Sequence, residues 1–540
     1  MLIQGASNLR QRNIKADYVL HHCFVIAGWL MFAQQNRIIK LIFFGVFLCL
    51  ANPAFAAESN AVDAFFGMIN GYLAAFFFFD VFPGEAEFPF IVAWLSIGAI
   101  YMTFRFGFIN LRMMGHAISI LRGKYQTPED KGEVTPFQAL TTALSATVGL
   151  GNIAGVAIAI IIGGPGAIIW MIIAGFFGMS AKFTEVTLGQ LYRQTRPDGR
   201  LMGGAMYYLS DGLAEKGMAG FGKALAIVFT IFCIAASLGG GNAFQVSQAM
   251  GAVQGEIPFF NDYPWLFGII MASLVGFVII GGIKRIAHAA EAIVPTMVII
   301  YLATCTWIIA ANITAIPEAF VVIWHGAFSL EAGFGALVGV IVQGFKRAAF
   351  SSEAGIGSAV IAHSTAAVKY PVRQGIVALH EPFVDTIVIC TMTALVIVVT
   401  GVYNAPEHAA LIEAKQGAAL TSAAFGSVVP WFSSILSLSV VLFAFSTMIS
   451  WAYYGERCWT YMFGERFSMV YKITFLVFIV LATLGSAGNI LDFSDLLLLA
   501  MALPNFIGLY ILQDKVANAL KDYRNKLKRG EFKPSKTNKV

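Results

Sequence analysis

Charge is what this sequence has least of. Only 12% of its 540 residues are Asp, Glu, Lys or Arg, roughly half the share of a soluble globular protein. With 58% hydrophobic residues and a mean hydropathy of +0.74, that scarcity points to an all-α polytopic membrane protein. Cysteine pattern is missing too. Cys23, Cys49, Cys233, Cys305, Cys390 and Cys458 are scattered without CxxC or Cys/His spacing, which excludes a disulfide framework or a zinc site. No glycine–lysine phosphate loop argues against ATP-driven pumping. No nucleophile–base–orienter set and no metal cluster supports an enzyme, and no filter-like repeat supports a channel. What is abundant is glycine (53) and phenylalanine (47), the currency of helices packed in lipid.

Two stretches combine apolarity with residues that break helices. Residues 138–170 read QALTTALSATVGLGNIAGVAIAIIIGGPGAIIW, long enough to span a bilayer, which takes about 20 residues. Yet Gly149, Gly151 and Gly155 fall in its middle, flanked by Thr147 and Asn152. Glycine tolerates unwinding, and unwound backbone at membrane depth survives only in protein or beside a cavity. Close helix packing through small residues is the competing explanation for one such stretch. A second stretch, SSEAGIGSAVIAHST at 351–365, favours a functional break: Gly355 and Gly357 repeat Gly149 and Gly151 at one constant offset, with Ser358 in place of Asn152. Short segments broken at corresponding positions of two halves mark an inverted-repeat transporter.

Spans are expected at about 138–163, 167–191, 222–250, 263–282 and 286–311, and again at 333–366, 374–402, 428–453, 470–487 and 491–513. Five spans repeat, and an odd number inverts the second half. The chain divides into 1–57, an N-terminal extension and signal peptide, and 58–135, an outer-face segment with one extra transmembrane helix and a cytoplasmic linker. Two five-helix repeats follow at 136–315 and 316–513, then a basic tail at 514–540. The signal-peptide reading rests on basic residues 36–40, the apolar run 41–50 and Ala54 and Ala56 before a cut near 57, with Met31 as a candidate start; an uncleaved span is the alternative. Arg193, Arg196, Arg200, Lys284, Arg285, Lys369, Arg373 and the basic tail fall inside if the first core span runs outward. The mature N-terminus is then outside and the C-terminus cytoplasmic.

An amino-acid zwitterion needs an anion site beside a cation site. Half-helices starting near Gly151 and Gly355 offer N–H groups to a carboxylate, while carbonyls around Ala146, Val148 and Gly149 suit an ammonium or Na+. Thr147 and Asn152 are candidate ligands, unless the threonine bonds back to its own helix. Ser351, Ser352 and Glu353 sit at the second break. Glu353 either holds the ammonium or braces the unwound backbone, with Lys346 and Arg347 placed to neutralise it; those two bases alternatively line a vestibule or snorkel. Asn242 and Gln245 share a face and either line the pocket or bond between helices. Ser446, Thr447 and Ser450 supply hydroxyls for a hard cation. Lys182 and Glu185 read as a structural ion pair, and no histidine is assigned a proton role.

FQALTTALSATVGLGNIAGVA, GGPGAIIWMIIAGFFGMSAKFTEVTLGQLYR, GGAMYYL at 203–209 and FSTMISWAYYGER at 445–457 resemble the alanine/glycine:cation symporter family over nearly all of 88–515. The resemblance implies a leucine-transporter-like five-plus-five inverted repeat with one preceding transmembrane helix. It implies uptake of alanine or glycine with Na+ as the coupling ion, no cofactor and no nucleic-acid partner, in a bacterial inner membrane. It places the ion near Ser446–Ser450. Where the family usually reads FSNEAG, this chain has Phe350-Ser351-Ser352-Glu353-Ala354-Gly355. A proton-coupled carrier of another small neutral amino acid, or a channel or sensor on the same scaffold, is the alternative.

Overall fold

The computed structural model describes residues 59–81, 88–127, 129–196, 199–329 and 333–532; the expected signal peptide lies outside them. Two helices come first, α1 (Ser59–Phe77) and α2 (Phe90–Arg105). Then α3 (Pro136–Thr147) starts where Thr135 caps it: the Thr135 hydroxyl accepts from the Gln138 N–H, Gln138 bonds back, and Pro136 occupies the first turn. A π-helical turn, Gly151–Gly155, leads into α4 (Val156–Gly163), and the two arms bend by 52°. The first break is where the glycines placed it.

The first repeat continues with α5 (Ala167–Leu191), α6 (Ala219–Leu238), α7 (Phe244–Glu256), α8 (Pro264–Ile279) and α9 (Gly282–Ala311); a π turn at Gly239–Ala243 joins α6 to α7. After α10 (Ile316–Phe328), the second broken element is α11 (Phe334–Ser352) and the one-turn α12 (Val360–His363). Next come α13 (Pro371–Ala378), a π segment at Phe383–Cys390, α14 (Thr391–Thr400), α15 (Gly417–Val428), α16 (Phe432–Phe463), α17 (Ser468–Ala482), α18 (Ala487–Ala500) and α19 (Ala502–Lys528). Starts at Pro136, Ala167, Ala219, Pro264 and Gly282 thus recur at Phe334, Pro371, Phe432, Ser468 and Ala487. Insertions of α10 and α15 depart from the expected span list, and α19 carries the last helix through the expected tail boundary at 514.

Among the described residues six helices are long and apolar enough to cross a membrane, seven if the bent pair counts. The chain is an all-α polytopic membrane protein. Ile97, Phe104, Phe277, Ile299, Trp307 and Leu438 are more than 60% exposed, large apolar side chains suited to lipid. α5 packs along α11 and α13, and α16 packs against α3, α6 and α9. The core therefore gathers around the two breaks.

Candidate functional site

The second break is a left-handed kink. Glu353, a non-glycine residue, has φ +54°, and Gly355 and Gly357 follow at +82° and +87°. Such conformations persist only where surroundings over-determine them. Here they do. The Trp451 indole N–H donates to Glu353 Oε1 at 2.9 Å, the Ser358 hydroxyl donates to Oε2, and Lys182 Nζ donates to the Glu353 carbonyl at 3.0 Å. The Glu353 carboxylate is thus held by side chains and not by the N–H groups of the unwound backbone, and it is the residue's carbonyl that Lys182 holds. Lys346 and Arg347 do not neutralise the carboxylate; both pair with Asp495 on α18 instead.

Behind the kink lies a buried ionic cluster. Lys182 Nζ sits 3.1 Å from Glu381 and 3.4 Å from Glu185, all three fully buried. His363 Nε2 meets Glu381 Oε2 at 3.1 Å, and its Nδ1 meets Gln374 Nε2 at 2.7 Å. Asn505 donates to Glu185 at 3.0 Å and to the Gly355 carbonyl at 2.8 Å. The expected Lys182–Glu185 pair is therefore part of the scaffold holding the second break.

At the first break, the Gly149 N–H donates to Asn152 Oδ1 at 2.9 Å and the Leu150 N–H to Gln245 Oε1 at 3.1 Å. Gln245 also donates to the Gly240 carbonyl at 2.8 Å, joining this break to the π turn of the third span. Asn152 Nδ2 then reaches Ser351 Oγ at 3.0 Å, the Asp385 carbonyl at 3.0 Å and Asp385 Oδ1 at 2.6 Å. Ser351 and Thr386 hydroxyls donate to Asp385 Oδ2 at 2.7 and 2.8 Å. Both breaks and the Phe383–Cys390 segment so converge on a fully buried carboxylate that no Lys, Arg or His pairs with among the described residues. An unpaired buried carboxylate is costly. Its own two oxygens, the Asp385 carbonyl and the Ser351 and Thr386 hydroxyls gather five oxygens at one place.

A second oxygen-bearing contact lies on the far side of the first break. The Thr447 hydroxyl donates to the Ser145 carbonyl at 3.1 Å, and the Ser145 hydroxyl to the Ser446 carbonyl at 2.7 Å. A Cβ on Gly149 would lie 2.2 Å from Thr447 Oγ1, so Thr447 rests against the break. Ser450 Oγ is buried without a partner among the described residues, whereas the Ser446 hydroxyl donates to its own helix at Phe443. Ala146 and Val148 are buried beside them.

The structure does not gather every expected ligand. Thr147 donates back to the Ala143 carbonyl of its own helix, at 3.3 Å. Ser352 likewise donates to Ala348, at 2.9 Å. Asn242 bonds the Phe475 carbonyl of α17 at 2.7 Å, a helix–helix contact. Gly355 faces Phe506: a Cβ there would approach the ring to 2.5 Å. Asp385 was the residue that sequence reasoning missed. Its signal is that it is the sole acid in the apolar run 382–400, and intramembrane carboxylates are functional candidates by default.

Gly355→Ala is accordingly expected to abolish uptake of large and small substrates alike. The φ of +82° alone costs about 1–2 kcal/mol in a residue with a Cβ, and the Phe506 clash adds to it. Initial rates for alanine and glycine should fall together; a loss confined to alanine would place the Cβ in substrate space.

The two ends of the bundle differ. At the arginine-rich end, Arg193 donates to the Lys131, Ser364, Ala366 and Val368 carbonyls, and Val134 pairs with Ala366 in a parallel bridge. This clamps the linker before α3 to the end of the second broken element. At the opposite end a cavity of about 510 Å3 opens, lined by Ser247, Gln248, Gln254, Gln416, Asn489 and Asp492 among others. Its lining reaches Ser247 and Gln248, within one helical turn of Gln245, which is buried as both breaks are.

Residues 78–538 match the family model described as the sodium:alanine symporter family. The sodium/alanine symporter AgcS of Methanococcus maripaludis is 39% identical over 82% of this chain and 96% of that protein. The probable sodium/glutamine symporter GlnT of Bacillus subtilis is 35% identical over 82% and 89%. Among solved structures, MhsT in complex with L-phenylalanine aligns at a TM-score of 0.48 and 15% identity, covering 71% of this chain and 89% of that one.

Proposed function

The chain belongs to the sodium:alanine symporter family, and on that premise we propose that it carries alanine or glycine into the cell together with Na+ by alternating access. The observation that carries this reading is the meeting of Asn152, Ser351 and Asp385, which ties both breaks to one buried carboxylate. A Na+ taken up there compensates Asp385 and draws the two broken helices together. Thr447 and the free Ser450 hydroxyl, with the carbonyls at Ala146 and Val148, offer a second oxygen set for a coupling ion. The substrate carboxylate then meets the N-terminal end of the first half-helix at Gly151. Phe350, whose ring lies 3.5 Å from where a Gly151 Cβ would sit, keeps that space small.

Orientation follows from the basic residues. On this reading the Arg193 clamp is at the cytoplasmic end and the cavity faces outward, with the C-terminus cytoplasmic and the protein in a bacterial inner membrane. The clamped inner end and the open outer end suit a carrier facing outward. The test is radiolabelled alanine uptake by proteoliposomes under imposed gradients. Accumulation driven by an inward Na+ gradient, and lost when that gradient is collapsed, is expected. Accumulation driven equally by a proton gradient without Na+ would instead make a proton the ion that Asp385 takes. Preference for glutamine would shift the substrate, and flux without accumulation would make the protein a channel.

A further inference from the structure

Between the outer cavity and the breaks lies a charged layer that the reading above leaves unused. Asp492 lines the cavity, and Asp495 lies one turn further along α18. Arg347, one turn before Ser351 on α11, pairs through Nη2 with Asp495 Oδ2; Lys346 reaches the same oxygen at 2.9 Å. Arg347 and Asp495 are each 1% exposed. Two cations thus face the one Asp495 carboxylate. Among the described residues, Arg347 Nε and Nη1 are buried with no hydrogen-bond partner, and so is Asp495 Oδ1. Its guanidinium carbon stands 5.4 Å from the centre of the Phe350 ring, the same ring that packs beside Gly151, Gly240 and Phe244.

Buried guanidinium N–H groups left open are costly, and a carboxylate is the acceptor they match best. A substrate zwitterion entering from the cavity brings one.

We propose that Arg347 is a binding site for the α-carboxylate of the incoming amino acid, above the broken helices, with Asp495 as the internal carboxylate it exchanges against. This rests on the amino-acid-carrier reading. In that role Asp495 holds the arginine in place and competes with the substrate for it. Removing the two groups therefore has opposite consequences, which a purely structural ion pair does not give.

The experiment uses the full chain in proteoliposomes, with alanine uptake and its inhibition by alaninamide, which keeps the ammonium and methyl but lacks the carboxylate. Arg347→Gln is expected to raise the alanine concentration for half-maximal uptake about tenfold or more, the scale of a lost charged hydrogen bond, while alaninamide inhibition stays unchanged. Asp495→Asn is expected to lower the half-maximal alanine concentration severalfold. The double variant removes both members of the fully buried pair and leaves only the part-exposed Lys346 without its carboxylate, so it separates misfolding from lost recognition: it should fold and show the weak alanine affinity of Arg347→Gln. The proposal is overturned if both single variants weaken alanine, if alanine and alaninamide change together, or if Arg347→Gln leaves alanine affinity unaltered. Relief of the Arg347→Gln defect by removing chloride would assign the site to an inorganic anion and overturn it too. Wild-type protein that takes up no amino acid would defeat the carrier reading itself, whereas normal wild-type uptake with any of those variant results defeats only this site.

Discussion

Asparagine in place of Asp385 is expected to raise the Na+ concentration for half-maximal alanine uptake about tenfold to a hundredfold. That range corresponds to losing a charge-assisted contact of about 1.5–3 kcal/mol in a desolvated place. The substitution is nearly isosteric. An amide oxygen can still accept from Asn152, and the Ser351 and Thr386 hydroxyls can rotate to accept from the new amide N–H. Only the negative charge is removed, so the packing around it has no reason to change. Stability measurements separate charge from geometry. Wild-type protein in detergent should melt at higher temperature as Na+ is added, because a ligand that binds only the folded state stabilises it. The Asp385→Asn variant should melt higher than wild type without Na+, having no uncompensated buried carboxylate, and should lose most of its response to Na+. An unchanged Na+ dependence of uptake would remove Asp385 from the ion path and leave the Thr447–Ser450 side as the coupling site.

The breaks themselves were legible because glycine declares its purpose. Gly149 and Gly151 recur as Gly355 and Gly357, and each pair marks backbone that the structure unwinds. The partners across the bundle were less legible. Asn152 can be read as a candidate from its neighbours in sequence, but Asp385 lies far along the chain and joins it only through folding. Lys346 and Arg347 mislead for the same reason. They stand one to two turns from Glu353 in sequence, yet α18 brings Asp495 to them, and Trp451, Ser358 and Lys182 serve Glu353 instead. Hydroxyls were ambiguous one by one: Thr147 satisfies itself within its helix while Thr447, in an equally apolar span, reaches across to Ser145. Whether a serine or threonine bonds inward or outward depends on what packs against it, and sequence spacing does not carry that. The insertions α10 and α15 were missed because they are short apolar helices of 13 and 12 residues, below the length that announces a span.

The largest effect on folding is expected at Lys182. Its ammonium is the sole lysine or arginine charge facing Glu185 and Glu381 among the described residues, and it also holds the Glu353 carbonyl at the second break. Methionine preserves the length and apolar stem of the side chain but removes the charge. Two carboxylates then lose their cation in a place without water, and breaking a buried ion pair from one side costs about 3–5 kcal/mol. Membrane proteins are marginally stable like others, so Lys182→Met should aggregate during solubilisation or melt far below wild type. Two effects are combined in that loss, and a second variant divides them. Lys182→Met with Glu381→Gln removes one of the stranded charges while His363 still finds an oxygen to donate to. If unpaired charge dominates, the double variant should recover much of the lost melting temperature, yet transport poorly, because the Glu353 carbonyl remains without its donor and the left-handed kink at +54° without one of its supports. If the double variant melts as low as the single one, the lysine matters chiefly as the strut of the break. A single variant that melts within a degree or so of wild type would sink both accounts, because the carboxyl groups around Lys182 would then be neutral without it.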